Sequence, residues 1–209
     1  MRDGRGSWSR VCCCVTVLPL LCATWQAGNA TVCSELLAAG AHANYARADR
    51  GGQGPLHVAC HLGLVEIVNV LLSSGGVANM PDFCGRRPLL YAAVGSGTGS
   101  QGAAGGGRGA NGAHLEVVEA LIAAGARTCC KDPMSEDTAL HEAARANRCD
   151  IISALLRGGA CASSRNLGGQ RALEVAVDEV GVGDEVGVGL VCADLFFPLP
   201  MSLSSLPAT

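Results

Sequence analysis

The sequence predicts an all-α solenoid of stacked helix-turn-helix units. Three observations lead there: leucine-bearing segments recur at a fixed interval, amphipathic segments alternate with them, and glycines stand where the amphipathic segments must stop. In 55-PLHVACHLG-63, 88-PLLYAAVG-95, 139-ALHEAARAN-147 and 172-ALEVAV-177, Leu56 and Leu89 are 33 residues apart, as are Leu140 and Leu173. A period of this length marks an architecture in which each unit buries its apolar face against the next. Leu89 to Leu140 is 51 residues, so that interval carries 18 extra residues.

The alternating segments are 32-VCSELLAAGA-41, 67-IVNVLLSSGG-76, 117-VVEALIAAGA-126 and 151-IISALLRGGA-160. At 3.6 residues per turn Ile67, Val68, Leu71 and Leu72 fall on one stripe, as do Val117, Val118, Leu121 and Ile122, so each segment is expected to bury one helical face. Gly75, Gly125 and Gly159 follow, where a left-handed cap needs a residue without Cβ. The expected unit is therefore a short Ala-rich helix, a tight turn, a second amphipathic helix, and a polar Gly/Asp loop.

This unit resembles the ankyrin repeat. Gly54 to Asn79 match the family pattern most fully, and 138-TALHEAA-144 with Ile151 to Ala160 match it recognisably. Some positions depart from the pattern. Gly54 and Arg87 replace Thr, Leu90 and Glu174 replace His, and Cys129 and Ser163 replace the terminal Asn, each removing part of the polar turn network. In the third unit 95-GSGTGSQGAAGGGRGANGA-113 separates the two helices, since Leu71 to Leu121 spans 50 residues. A Gly-rich run at that place reads as a loop that a repeat stack accepts without losing inter-unit packing.

The expected organisation is an N-terminal extension over 1–18, repeats over 19–177, and a low-complexity tail over 178–209. The repeats divide as 19–44, 45–79, 80–129 with the insertion near 96–112, 130–163, and a half repeat 164–177. Residues 2–30 admit two readings. Arg2, Arg5 and Arg10 before an apolar run have the shape of a secretory signal, while Pro19, Leu20, Ala23 and Gly28 fall nearly in phase with Val32, Cys33, Leu36 and Leu37, so that the same run reads as helix one of a first repeat. At the other end 178-DEVGVG-183 repeats as 184-DEVGVG-189 and no second helix follows, so the stack is expected to end on an exposed apolar face.

Composition narrows the function. With seven aromatics in 209 residues and a net charge of −3, no field selects nucleic acid or an anionic membrane. The apolar runs Val11 to Ala23 and Val186 to Pro200 are shorter than the roughly 20 residues of a membrane span. His57 and His61 are spaced i, i+4 without the Glu of a zinc-hydrolase motif, and no Cys pair has zinc-knuckle spacing. The 12 Cys are read mostly as small core residues in a reducing compartment. Gly97 to Gly102 matches a dinucleotide fingerprint by letter but lacks the flanking strand.

No catalytic constellation, metal or cofactor is expected. The family resemblance implies a protein partner held by the hairpin tips and the concave face. It is also what assigns His57 and His141 to bonds within their own turn and the next. The partner-contact candidates are Tyr45, Arg47, Asp49 and Arg50, then Asp82, Phe83, Arg86 and Arg87, then Lys131, Met134 and Glu136, with Tyr91 and Arg145 on first helices. Aromatics and Arg dominate binding hot spots, which singles out Phe83 and the Arg86-Arg87 pair. A monomeric scaffold or adaptor in cytoplasm or nucleus is the expectation, unless the uncapped end associates. Two alternatives stay open: a ubiquitin-ligase receptor resting on Val188, Cys192 and Phe196 with 197-FPLPMSL-203, and a secreted effector resting on the N-terminal run.

Overall fold

The computed structural model describes residues 29–46, 51–95 and 110–179. Among them eight helices follow one another: α1 (Ala30–Ala38), α2 (Pro55–Leu62), α3 (Val65–Ser73), α4 (Pro88–Val94), α5 (Ala110–Ala123), α6 (Ala139–Arg145), α7 (Cys149–Arg157) and α8 (Ala172–Glu179). First helices α2, α4, α6 and α8 pack side by side in one layer, and second helices α1, α3, α5 and α7 form the other. No strand forms among the described residues; only the isolated bridges Lys131–Thr138 and Arg165–Arg171 close hairpin stems. This is the all-α solenoid that the 33-residue phase predicts.

Local chemistry sets the helix ends. Pro55 and Pro88 open α2 and α4, where a missing N–H costs nothing and the fixed φ suits a helix. Asn29 caps α1 by accepting from the Val32 amide at 3.2 Å. The turn between paired helices needs a left-handed residue, and Gly63 (φ 70°) supplies it in the second unit while Asn147 (φ 52°) does so in the fourth. Gly75, Gly125 and Gly159, past the second helices, have φ of 85°, 79° and 82°.

The core is the shared seam of the two layers. Ile67, Val68, Leu71, Val117, Val118, Leu121, Ile151, Ile152 and Leu155 are almost completely buried. Alanines 59, 92, 93, 143 and 144 face them from the first helices, and their small size lets the layers approach closely. Each fully buried Leu or Ile is worth about 1.5–3 kcal/mol, so this seam carries the stack without large aromatics.

Two expectations change. Helix α5 begins at Ala110, so the last residues of the run placed near 96–112 are helical rather than loop. Among the described residues the exposed large apolar side chains are Tyr45, Val77, Phe83, Val94, Met134 and Leu167. The expected exposed apolar end depends on residues 180–209, which lie outside the described residues. Among the described free cysteines only Cys33 and Cys60 are buried, while Cys84, Cys129 and Cys161 are exposed, so the small-core reading fails for those three. They sit in hairpins and turns, where the backbone stays at the surface. No helix of the described residues is long and apolar enough to cross a membrane.

Candidate functional site

The hairpins that join the units are tied to one another by backbone and side-chain bonds. Asp82, Asp132 and Asn166 open three of them, donating their amides to Arg86, Asp137 and Gln170 carbonyls at 2.9, 2.7 and 3.0 Å. Phe83 donates its amide to the Gly51 carbonyl at 2.9 Å, and Leu167 donates to Ser135 at 3.0 Å, so these two hairpins are stitched to their predecessors. Asn44 bridges Gly75 and Val77, and Asn79 bridges Gly125 and Arg127, in the same geometry one unit on. Cys129, in place of the next Asn, keeps only a thiol contact to the Gly159 carbonyl at 3.5 Å.

Beside the first of these hairpins lies a polar cluster. Asp82 is 5% exposed, and its Oδ1 accepts from the Arg86 amide at 2.8 Å while Oδ2 accepts from the Tyr91 hydroxyl at 2.6 Å. Gln53 Nε2 donates to the same hydroxyl at 2.9 Å. The Arg86 guanidinium lies 5.2 Å from the Tyr91 ring centroid, and its Nε is 3.4 Å from Asp82 Oδ2. That Nε finds no hydrogen-bond geometry, so the contact is Coulombic. Burial pushes the Asp82 carboxyl up, but the Tyr91 hydroxyl, the Arg86 amide and the guanidinium outweigh it and hold the group below its ordinary range. Burial, then the Asp82 hydrogen bond, raises Tyr91 to about 12.

His57 joins this cluster to the helix start. Its Nδ1 accepts from the Gly54 amide at 3.0 Å, which leaves Nε2–H to donate to the Arg86 carbonyl of the next hairpin at 3.3 Å. His141 repeats the arrangement, with Thr138 at 3.2 Å and the Gln170 carbonyl at 3.1 Å. Gly54 in place of Thr therefore preserves the backbone half of the turn network and loses the hydroxyl half. Burial lowers the His57 pKa.

The second of these hairpins carries another cluster. Asp137, 4% exposed, receives Arg145 Nη2 at 3.1 Å and Asn166 Nδ2 at 3.0 Å, and Arg145 Nη1 also reaches Glu142 at 2.8 Å. Burial raises the Asp137 carboxyl, but the bonds from Asn166, Arg145 and Ser135 outweigh it and hold it low. Both clusters thus place a buried carboxylate beneath a half-exposed guanidinium. Such an arrangement holds the guanidinium outward at the surface, with its planar fork oriented by the carboxylate below. No group of three or more potential metal ligands occurs among the described residues.

A family model for ankyrin repeats, in three copies, matches residues 20–100 and 108–186. The chain belongs to the ankyrin-repeat family. Among curated proteins it is similar to the cyclin-dependent kinase inhibitor 2A of Homo sapiens, 31% identical over 129 residues that cover 62% of this chain and 70% of the relative. It is also similar to the cyclin-dependent kinase 4 inhibitor B of Bos taurus, 30% identical over 126 residues, 60% of this chain and 82% of the relative.

Within the ankyrin stack the candidate contacts fall into three groups. Phe83, Met134 and Tyr45 are exposed apolar side chains at hairpins, 70%, 76% and 42% accessible. Arg86, Arg145, Lys131 and Glu136 are partly exposed and paired, with Lys131 Nζ 2.9 Å from Glu136 Oε2. Arg87 is half-buried beside Arg127 and Lys131 in a crevice. Asp82 is corrected: with both oxygens engaged inside the hairpin it positions Arg86 and Tyr91, and presents little surface of its own. Tyr91 likewise has its hydroxyl occupied, leaving a ring edge. Arg47, Asp49 and Arg50 lie outside the described residues, as do residues 1–28 and 180–209, on which the secretion and ligase readings rest. Sequence reasoning missed Gln53, Asn166 and Leu167. The 33-residue phase that marks Phe83 also marks Leu167, and was the available signal.

Proposed function

We propose that this chain is a non-catalytic protein-binding module and that its partner is a protein kinase of the cyclin-dependent class. The observation that carries the reading is the stitched hairpin row. Backbone bonds tie the Phe83 and Leu167 hairpins to the hairpins before them, yet the row projects exposed side chains such as Phe83 and Met134 beside half-exposed Arg86 and Arg145. A surface already rigid before contact loses little entropy on binding, which is what recognition by a few anchors requires. The kinase assignment draws on the two similar proteins, which are cyclin-dependent kinase inhibitors by name.

Isothermal titration of the full chain into a purified cyclin-dependent kinase tests the reading, with kinase activity read in parallel. A saturable complex with reduced kinase activity is expected. The variant Phe83→Ala, Arg86→Glu, Arg87→Glu, with unchanged helical circular dichroism, should bind at least about 30-fold more weakly, as loss of a hot spot of about 2 kcal/mol implies. Undiminished binding by that variant would remove the hairpin row from the account, and absence of binding by the wild type would remove the kinase.

A further inference from the structure

Phe83, Met134 and Leu167 each stand six residues before the recurrent leucine of their unit, Leu89, Leu140 and Leu173. They are 70%, 76% and 71% exposed. Isolated surface apolar residues are ordinary, but three at one repeat position form a row. Two of the three are tied to the preceding hairpin through their own amides, Phe83 and Leu167. Met134 donates its amide to Asp132 Oδ1 of its own hairpin at 3.5 Å, and its neighbour Pro133 packs on Gly85, where a Cβ would lie 2.7 Å from the Pro133 Cγ.

A cation accompanies each projection. Arg87 and Arg171 stand two residues before the same leucines. In the middle hairpin Thr138 holds that position, and its bridge partner is Lys131, just as Arg165 is the bridge partner of Arg171. Arg87, Arg127 and Lys131 share one crevice with no acid in its lining. Lys131 is paired with Glu136 at 2.9 Å, but among the described residues no carboxylate lies within ion-pair distance of Arg87, Arg127, Arg165 or Arg171. Four unpaired cations flanking an apolar row are the complement of an acidic, amphipathic partner.

Spacing decides the partner's conformation. Helices α4, α6 and α8 pack one after another, and packed helices step by about 8–10 Å, a step we carry over to the hairpins that lead into them. An α-helix advances about 10.5 Å in seven residues and returns to nearly the same face. An extended strand covers the same step in about three residues, an odd number that turns the next side chain to the opposite face. We infer that the Phe83-Met134-Leu167 row, with its cationic flank, binds an acidic amphipathic α-helix of the partner laid along the stack with apolar residues at i, i+7 and i+14. The inference rests on the protein-binding reading and adds the partner's chemistry and shape.

The test is fluorescence anisotropy of the full chain with a labelled helical peptide of about 20 residues, built of Ala and Glu with Leu at i, i+7 and i+14. Saturable binding is expected. It should weaken at least about tenfold when the same leucines are respaced to i, i+5 and i+10, when Lys replaces Glu, and when the protein carries Met134→Ser and Leu167→Ser. Both side chains are exposed, so that variant is expected to fold. Phe83→Ser serves as an independent second variant because Phe83 also covers Gly52. Equal binding by the respaced or Lys peptide, equal binding by the variants, or no saturable binding would overturn the inference. The kinase titration separates the two ideas. A chain that binds the kinase but not the peptide overturns the helix inference alone, and a chain that binds the peptide but not the kinase supports the row and overturns the kinase assignment.

Discussion

The bond between Tyr91 and Asp82 is the place where a surface side chain is held by a buried charge, and deleting it gives a measurable cost. Tyr91→Phe removes the hydroxyl that donates to Asp82 Oδ2 at 2.6 Å and accepts from Gln53 at 2.9 Å. A hydrogen bond to a charged group contributes about 1.5–3 kcal/mol. Tyr91 is half-buried and water can replace part of the loss, which places the expected destabilisation near the lower end, about 1.5 kcal/mol. Asp82→Ala also orphans the Arg86 amide and releases the hairpin, for about 2–3 kcal/mol. Because both variants delete the same bond, the double variant should fall short of the sum by about 1 kcal/mol. Urea unfolding of the four proteins, followed by helical circular dichroism, measures the coupling. A coupling near zero would refute the claim that this bond organises the hairpin. Acid titration supplies a second readout with a fixed sign. Asp82 has a lower pKa folded than unfolded, so its contribution is present above the ordinary carboxylate range and is lost as pH falls through about 4 toward the folded value. Tyr91→Phe should flatten that part of the curve.

Further outcomes follow from the same contacts. His141→Ala leaves the Thr138 amide unpartnered and removes one of the two donors to the Gln170 carbonyl, which keeps the Asn166 amide, and should cost about 1–3 kcal/mol, with hydrogen exchange accelerating in α8 before the rest of the stack. Acidification below the ordinary histidine pKa of about 6.5 should lower stability, because burial depresses His57 and His61 in the folded chain and the unfolded chain then binds more protons; a stability curve flat between pH 7 and 5 would contradict this. Gly63→Ala combines a φ of 70° with a Cβ only 2.9 Å from the His114 ring and should destabilise by about 1–3 kcal/mol, more than Gly75→Ala, whose φ is 85° but whose surroundings are open, as parallel thermal melts would show.

The fold was legible in the chain because spacing survives where individual residues drift. Leu56, Leu89, Leu140 and Leu173 keep their phase across an interruption, and the paired apolar positions at 67/68, 117/118 and 151/152 all reach the buried seam. Helix lengths were less legible, since α5 takes its first turn from residues that composition assigns to a Gly-rich loop. The candidate surface was legible as a set of hairpins, but the division of labour inside it was not. An Asp, an Arg and a Tyr near one another in sequence do not reveal that the carboxylate turns inward and the guanidinium outward. That depends on the Arg86 amide bending back to Asp82, and on Gln53 arriving from the preceding unit. Likewise Asn166 reaches Asp137 across 29 residues, a contact that no local pattern encodes.

Hydrogen-exchange mass spectrometry of the full chain, alone and saturated with a cyclin-dependent kinase, tests the central claim most directly. The account expects new protection in the hairpins at 80–87, 131–137 and 165–171 and in the exposed sides of α4 and α6, with α3, α5 and α7 unchanged. Protection confined to the second helices, or none at saturating kinase, would contradict it.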